Sequence, residues 1–303
     1  MARTDRIHTL DLAFQNLPQN HAAYLIPHAD GGVLVETGPG SATDTLTERL
    51  ADHDLTPGDI TDALVTHIHL DHSGAAGWLA RQGATIHVHP AGAPHLANPD
   101  RLLASAKRIY GDEMDKLWGD FLPVPEDHIN VLEDGDTVTV SDLHFEAIET
   151  PGHANHHHAY LLEDVCFTGD VAGVRLLGTD HVALPLPPPE IDLDRWRTSV
   201  ATLRERDIKR LALTHFGMYD DVDAHFDRLA HRLDAADEWL HRVMADGPSD
   251  NEFYNRVTRW MRRQAALDRV DDETWTLYET ANPSWMAVAG LKRYWTKHRA
   301  EAA

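Results

Sequence analysis

The stretch Thr66-His67-Ile68-His69-Leu70-Asp71-His72-Ser73-Gly74 sets three imidazoles and a carboxylate within six residues. It follows the apolar, β-like run Ala63-Leu64-Val65. Alternation along a strand places His67 and His69 on one face, and a turn at Ser73-Gly74 would fold Asp71 and His72 back toward them. Imidazole together with carboxylate suits zinc, with iron or manganese as alternatives. The chain has 22 His in 303 residues, so clustering alone carries little weight; the ordering beside a strand end marks this stretch as a ligand set.

Three later places offer single ligand-type side chains just past strand-like runs. They are His153 in Thr150-Pro151-Gly152-His153, Asp170 in Thr168-Gly169-Asp170, and His215 in Leu213-Thr214-His215-Phe216-Gly217. A strand that ends in a small-residue turn holds a side chain rigidly at a sheet edge, as a metal ligand requires. Singly, each suits a cap or a hydrogen bond equally well. With the first cluster they make seven, enough for two cations with a solvent position left open. The expected ligands are His67, His69, Asp71, His72, His153, Asp170 and His215.

The elements that must position these residues read as alternating strands and helices. Two strands, His21–Ile26 and Gly32–Glu36, flank a hairpin signal at Asp30-Gly31-Gly32. Thr37-Gly38-Pro39-Gly40 then leads into a helix through about Asp52; it lacks a P-loop lysine and dinucleotide spacing, so it reads as a structural turn. A short helix at Ala75–Arg81 and a strand at Thr85–His89 follow, with His87 and His89 read as sheet or pocket-rim residues. Residues 91–127 form an insertion with one helix from Asp100 to about Leu117. Strands are expected near 129–132, 137–140, 143–149, 159–162 and 165–168. The run Leu184-Pro185-Leu186-Pro187-Pro188-Pro189 is a rigid connection into a helix at about 192–206. From Tyr219 the pattern turns to amphipathic helices near 221–245, 250–268 and 283–297. The division expected is a domain over 1–218 and a helical region over 219–303.

The hydrophobic content of 42% can fill a core, and the net charge is −22. Only five of the 27 cationic side chains are lysine (Lys107, Lys116, Lys209, Lys292 and Lys297), and the acids are spread along the chain. That distribution reads as a solubilising, halophile-like acidic surface. It disfavours a phosphate backbone as partner, so no nucleic acid is expected. The single cysteine, Cys166, excludes an intrachain disulfide and fits a reducing compartment. Met1–Arg6 lacks the apolar core of a signal peptide, and no apolar run approaches the roughly 18 residues of a membrane span. A cytoplasmic protein acting on a small molecule is expected, with a homo-oligomer as an option.

The ordered set Thr66-His67-x-His69-x-Asp71-His72, Pro151-Gly152-His153, Gly169-Asp170 and Thr214-His215 resembles the metallo-β-lactamase superfamily, in its glyoxalase II-like and lactonase-like branches. The resemblance covers about residues 20–218. It implies an α/β fold, a four-layer αβ/βα sandwich with the site at one edge and, in this chain, a C-terminal helical extension. It further implies that His67, His69 and His153 hold one metal, that Asp71, His72 and His215 hold a second, and that Asp170 bridges them. Two divalent ions, zinc by default, would make a hydroxide available near neutral pH to attack an ester, thioester or lactone carbonyl. Asp71 would orient that nucleophile or carry its proton. Glu36 and His157 are expected as outer-shell partners of the ligands.

Departures from the family pattern bear on substrate. Glu36 stands where an aspartate is common, His156 replaces a glycine, and Gly173 replaces the tyrosine of lactonase-like members. A mononuclear iron sulfur-dioxygenase and a phosphodiesterase or ribonuclease-like hydrolase remain the alternatives.

Overall fold

The structure is a computed structural model and describes residues 6–299; residues 1–5, part of the segment read above for a signal peptide, lie outside that range. Twelve strands among the described residues form two six-stranded sheets. The first comprises β1 (His8–Asp11), β2 (Ala22–His28), β3 (Gly31–Val35), β4 (Ile60–Leu64), β5 (Thr85–Val88) and β6 (Ile129–Val131), in sequence order across the sheet. The second comprises β7 (Thr137–Val140), β8 (Leu143–Glu149), β9 (His158–Leu162), β10 (Val165–Gly169), β11 (Arg210–Leu213) and β12 (Gly217–Tyr219), in the spatial order 12-11-10-9-8-7. β1, β2 and β3 pair antiparallel, whereas β3 through β6 run parallel. β10 and β11 form the parallel pair of the second sheet.

Period-two patterning explains why the sheets stack. In β2, Ala22, Tyr24 and Ile26 enter the core between the sheets, while Ala23 and Leu25 face the outer helices. β10 repeats this, with Val165 and Phe167 inward and Cys166 outward. Strands buried on both faces read as continuous apolar runs, which is how these segments look in sequence. The small helices α1 (Thr43–Ala51), α2 (Leu70–Ser73), α3 (Ala76–Ala80), α4 (Ala93–Ala97), α5 (Asp100–Tyr110) and α6 (Met114–Trp118) belong to the first half. Leu46, Leu50, Leu79 and Leu96 join Leu25, Leu34 and Ile86 in one core there.

The second sheet is covered by α7 (Leu193–Arg204), α8 (Val222–Ala245), α9 (Asp250–Leu267) and, after α10 (Asp272–Ala281), α11 (Ser284–His298). Trp196, Leu229, Val257 and Leu291 share a core with Cys166 and Leu211 of that sheet. Each such fully buried side chain stabilises the fold by roughly 1.5–3 kcal/mol. The C-terminal helices therefore pack on the sandwich itself. The result is an α/β, four-layer αβ/βα sandwich with a C-terminal helical region.

Several local expectations are corrected. β4 ends at Leu64, so His67 and His69 lie in the loop beyond it and strand alternation does not orient them. Asp71 and His72 are turned inward by the short helix α2, not by a turn at Ser73-Gly74. The single helix expected over Asp100–Leu117 is two, α5 and α6, separated at Gly111, whose φ of +57° interrupts a right-handed helix. β1, β12 and α10 were not foreseen; α10 begins at the cap Asp271, which accepts from the Thr274 amide, but its Thr- and aromatic-rich sequence is a weak helix signal.

Candidate metal centre

The parallel strands β4, β10 and β11 and the antiparallel strand β8 all deliver their ends to one edge of the sandwich. Two tyrosine hydroxyls bind the sheets together beneath it: Tyr24 donates to the Leu213 carbonyl at 2.6 Å and Tyr160 to the Val65 carbonyl at 3.0 Å. The loops are then stitched together, with the Ala22 amide on the Thr214 carbonyl at 2.8 Å and the His158 amide on the Thr66 carbonyl at 2.7 Å. The Thr37–Gly40 turn is structural, as expected. Thr37 donates through its amide and its hydroxyl to the His72 carbonyl, and Gly38 accepts from the Ala75 amide.

Two glycines are needed where ligand-type residues are placed. A Cβ on Gly152 would lie 2.3 Å from the Trp196 Cα, so only glycine lets the His153 loop rest on α7. Gly169 has φ +49°, and a Cβ there would lie 2.4 Å from Thr66 Oγ1 and 2.8 Å from His157 Nε2.

All seven residues named from sequence meet in this cluster. At one pole His69 Nδ1 lies 2.8 Å from His67 Nε2 and 3.0 Å from His153 Nε2. Asp170 Oδ2 is 3.3 Å from His153 Nε2, and its other oxygen, Oδ1, is 3.4 Å from both His72 Nε2 and His215 Nε2. Asp71 Oδ2 is 3.5 Å from each of the same two nitrogens. Asp170 thus stands between the two poles, one oxygen to each.

Hydrogen bonds behind the rings fix their tautomers. His72 Nδ1 donates to Glu36 Oε1 at 2.9 Å, His153 Nδ1 to the Pro185 carbonyl at 2.9 Å, and His215 Nδ1 to the Asn20 carbonyl at 3.0 Å. Thr66 donates its hydroxyl to Glu36 at 2.6 Å, so at 3.0 Å it accepts from His67 Nδ1. Each of these four rings therefore turns Nε2 rather than Nδ1 toward the cluster. Glu36 also accepts from the Thr66 amide and the Thr214 hydroxyl, and it adopts φ +69° to do so. His157 accepts from the Asp170 amide at 3.1 Å through Nε2 and donates to Thr150 Oγ1 at 2.8 Å.

This donor set fits divalent cations. His72 Nε2 and Asp170 Oδ1 are buried and have no hydrogen-bond partner, an arrangement that costs free energy unless a cation satisfies both. Ligands at 2.0–2.2 Å in a tetrahedron are separated by roughly 3.3–3.6 Å, and the Asp71 and Asp170 oxygens lie 3.4–3.5 Å from the His72 and His215 nitrogens. The electrostatics agree. Burial opposes charge on His72, yet Asp71, Glu36 and Asp170 raise it well above the usual imidazole range. Burial and neighbouring imidazoles hold His67 and His69 well below that range.

One residue of the cluster was missed from sequence. His21 precedes β2 and places Nε2 3.3 Å from Asp71 Oδ2; its only sequence signal was a polar Asn20-His21 pair ahead of an apolar strand. Burial and the neighbouring His215 push it down to about 4. His87 and His89 are elsewhere: His87 pairs with Asp62 at 2.8 Å and His89 faces Glu149 at 3.7 Å.

Above the cluster opens a cavity of about 480 Å³ whose floor includes His69, Asp71, His153, Asp170 and His215. Its walls come from the 91–127 insertion (Leu102, Ile109, Tyr110, Trp118), the Pro185–Pro189 strap and the α10–α11 corner (Trp285, Met286). Arg101 is the one arginine or lysine among the described residues that line it. Burial holds the Tyr110 hydroxyl above the usual phenol range, and it donates to the Met286 sulfur at 3.5 Å.

Residues 17–215 match the Metallo-beta-lactamase superfamily, and the chain belongs to it. It is 30% identical over 159 residues to a metallo-beta-lactamase fold-containing protein of Sulfurisphaera tokodaii, covering 51% of this chain and 60% of that one. It is 33% identical over 147 residues to a hydroxyacylglutathione hydrolase of Aeromonas hydrophila, covering 48% and 44% respectively. These alignments thus span about half the length of the curated relatives. A metallo-beta-lactamase family protein of Thermus thermophilus superposes with a TM-score of 0.73 over 99% of this chain and 95% of that one, at 22% identity. That likeness extends the shared fold through the C-terminal helices. No described helix is long and apolar enough to cross a membrane.

Proposed function

We propose that this chain is a dinuclear metal hydrolase that cleaves a thioester or ester bearing a bulky apolar acyl group. The observation that carries the reading is Asp170, which stands in the floor of one large cavity and turns one carboxylate oxygen to His153 and the other to His72 and His215. His67, His69 and His153 would hold one cation, and Asp71, His72 and His215 the other, with Asp170 between them. Zinc suits this nitrogen-rich set best; iron and manganese are the alternatives. When bound, two such cations supply Lewis acidity, making water a competent nucleophile near neutral pH and polarising the carbonyl it attacks.

The chain's own residues do the rest. Asp71 stands on the cavity floor with Oδ2 among three imidazoles, where it can orient the attacking water and take its proton. Glu36 and His157 hold His72 and Asp170 in register from behind. The aromatic and aliphatic walls from the insertion and the α10–α11 corner exclude water and accept an apolar acyl chain. The thioester preference draws on the similarity to the hydroxyacylglutathione hydrolase. Complete donor sets at both poles favour two metals over a single iron, and the net charge of −22 weighs against a nucleic-acid substrate.

The test is a screen of zinc-, iron- and manganese-loaded protein against thioesters, esters, lactones and phosphodiesters of graded acyl size. Turnover should favour thioesters and esters with larger apolar acyl groups and vanish on chelation. Preference for phosphodiesters, or turnover that survives removal of metal, would refute the reading.

A further inference from the structure

The geometry points to His21 as an additional ligand of the outer metal, the one assigned above to Asp71, His72 and His215. This rests on the dinuclear reading above. β2 runs antiparallel to β3, so its leading end arrives at the same edge where β3 and β4 finish. His21 stands at that end with its side chain buried.

Lone pairs decide the assignment. Asn20 donates through Nδ2 to the Phe14 carbonyl at 3.3 Å, which fixes the orientation of its amide. Its Oδ1 is therefore the atom 3.1 Å from His21 Nδ1, and that nitrogen must carry the hydrogen. His21 Nε2 is left with a lone pair directed at Asp71 Oδ2, 3.3 Å away. Two acceptors facing each other in a buried site repel unless a cation lies between them. His215 brings a third lone pair to the same oxygen at 3.5 Å. The three ligand atoms lie within 4.8 Å of one another.

The support behind the two rings is common. The backbone carbonyl of Asn20 accepts from His215 Nδ1 while its side-chain oxygen accepts from His21 Nδ1. One residue thereby sets the tautomers of both imidazoles, as outer-shell partners of metal-bound histidines do. Phe14 packs on the His21 ring at 4.6 Å between centroids, and His215 meets it edge-on at 4.2 Å. The ring has little freedom to turn away.

The experiment uses the full chain loaded with cadmium-113 and labelled with nitrogen-15 in histidine. Wild-type protein should show one-bond cadmium coupling at Nε2 of His21, with its hydrogen on Nδ1. His21→Ala and His21→Gln should each weaken the second equivalent of cadmium by at least about 10-fold in chelator competition, leaving the first unchanged. Glutamine can still donate to Asp71, so a loss shared by both variants separates ligation from a hydrogen bond. Two bound cations with a protonated His21 Nε2 and no coupling would overturn the inference while leaving the dinuclear reading intact. A wild-type chain that binds fewer than two cations would instead defeat that reading and the inference with it. The wild-type spectrum decides the matter even if a variant fails to fold.

Discussion

Glu36→Gln probes the scaffold behind the cluster. Glu36 is 1% exposed and accepts four hydrogen bonds: Thr66 Oγ1 at 2.6 Å, His72 Nδ1 at 2.9 Å and Thr214 Oγ1 at 3.0 Å on Oε1, and the Thr66 amide at 3.3 Å on Oε2. Glutamine can keep its carbonyl at the Oε1 position, but its amide nitrogen then faces the Thr66 N–H, donor against donor. A buried donor left unsatisfied costs about 1–3 kcal/mol, and three bonds to a charged acceptor become bonds to a neutral one at about 1 kcal/mol each. Relief from burying an unneutralised carboxylate offsets part of this, which leaves a net destabilisation of about 2–4 kcal/mol. The same change replaces the charged acceptor behind His72 Nδ1 with a neutral one and should weaken the outer metal by about 10-fold. Urea unfolding of the metal-free protein reads the first effect, and chelator competition the second. Unchanged stability together with unchanged metal affinity would refute the role given to Glu36.

Three further outcomes follow from particular residues. Gly169→Ala should destabilise the fold by roughly 2–5 kcal/mol in denaturant titrations, because the new Cβ meets Thr66 and His157 at a positive φ. His225 is held down to about 4, chiefly by burial and further by Arg175, against the bond it donates to the Ala172 carbonyl. The unfolded chain therefore takes a proton near 6.5 that the folded chain refuses until about 4, so this contribution is complete above about 6.5 and is lost as pH falls toward 4. It amounts to about 3 kcal/mol, and His225→Gln should flatten the thermal midpoint across that window. Arg101→Ala should raise KM by about 5-fold for acyl substrates with an anionic tail, as suits a rim charge, and leave neutral esters unaffected in steady-state kinetics.

What could be read from sequence follows from how local each signal is. β2 and β10 announce themselves because burial on both faces makes an uninterrupted apolar run. His67, His69, Asp71 and His72 are legible because they are contiguous. His153, Asp170 and His215 are weak signals singly and become a set only when counted with the first cluster and ordered by the resemblance, since their convergence depends on strands paired across long stretches of chain. His21 stayed hidden for a related reason: nothing beside it hints at Asp71, fifty residues further on. Nor could the sequence foretell that α2 rather than a glycine turn aims Asp71, or that the α10–α11 corner reaches over the cavity.

The central claim is two cation poles in one floor, and the metal content of the chain tests it most directly. Protein reconstituted with excess zinc, desalted and analysed by elemental mass spectrometry should retain close to two ions per chain. His72→Ala should retain close to one, because it removes an outer ligand and spares the His67, His69 and His153 pole. A wild-type content of one ion or fewer, or an undiminished content in His72→Ala, would contradict the account.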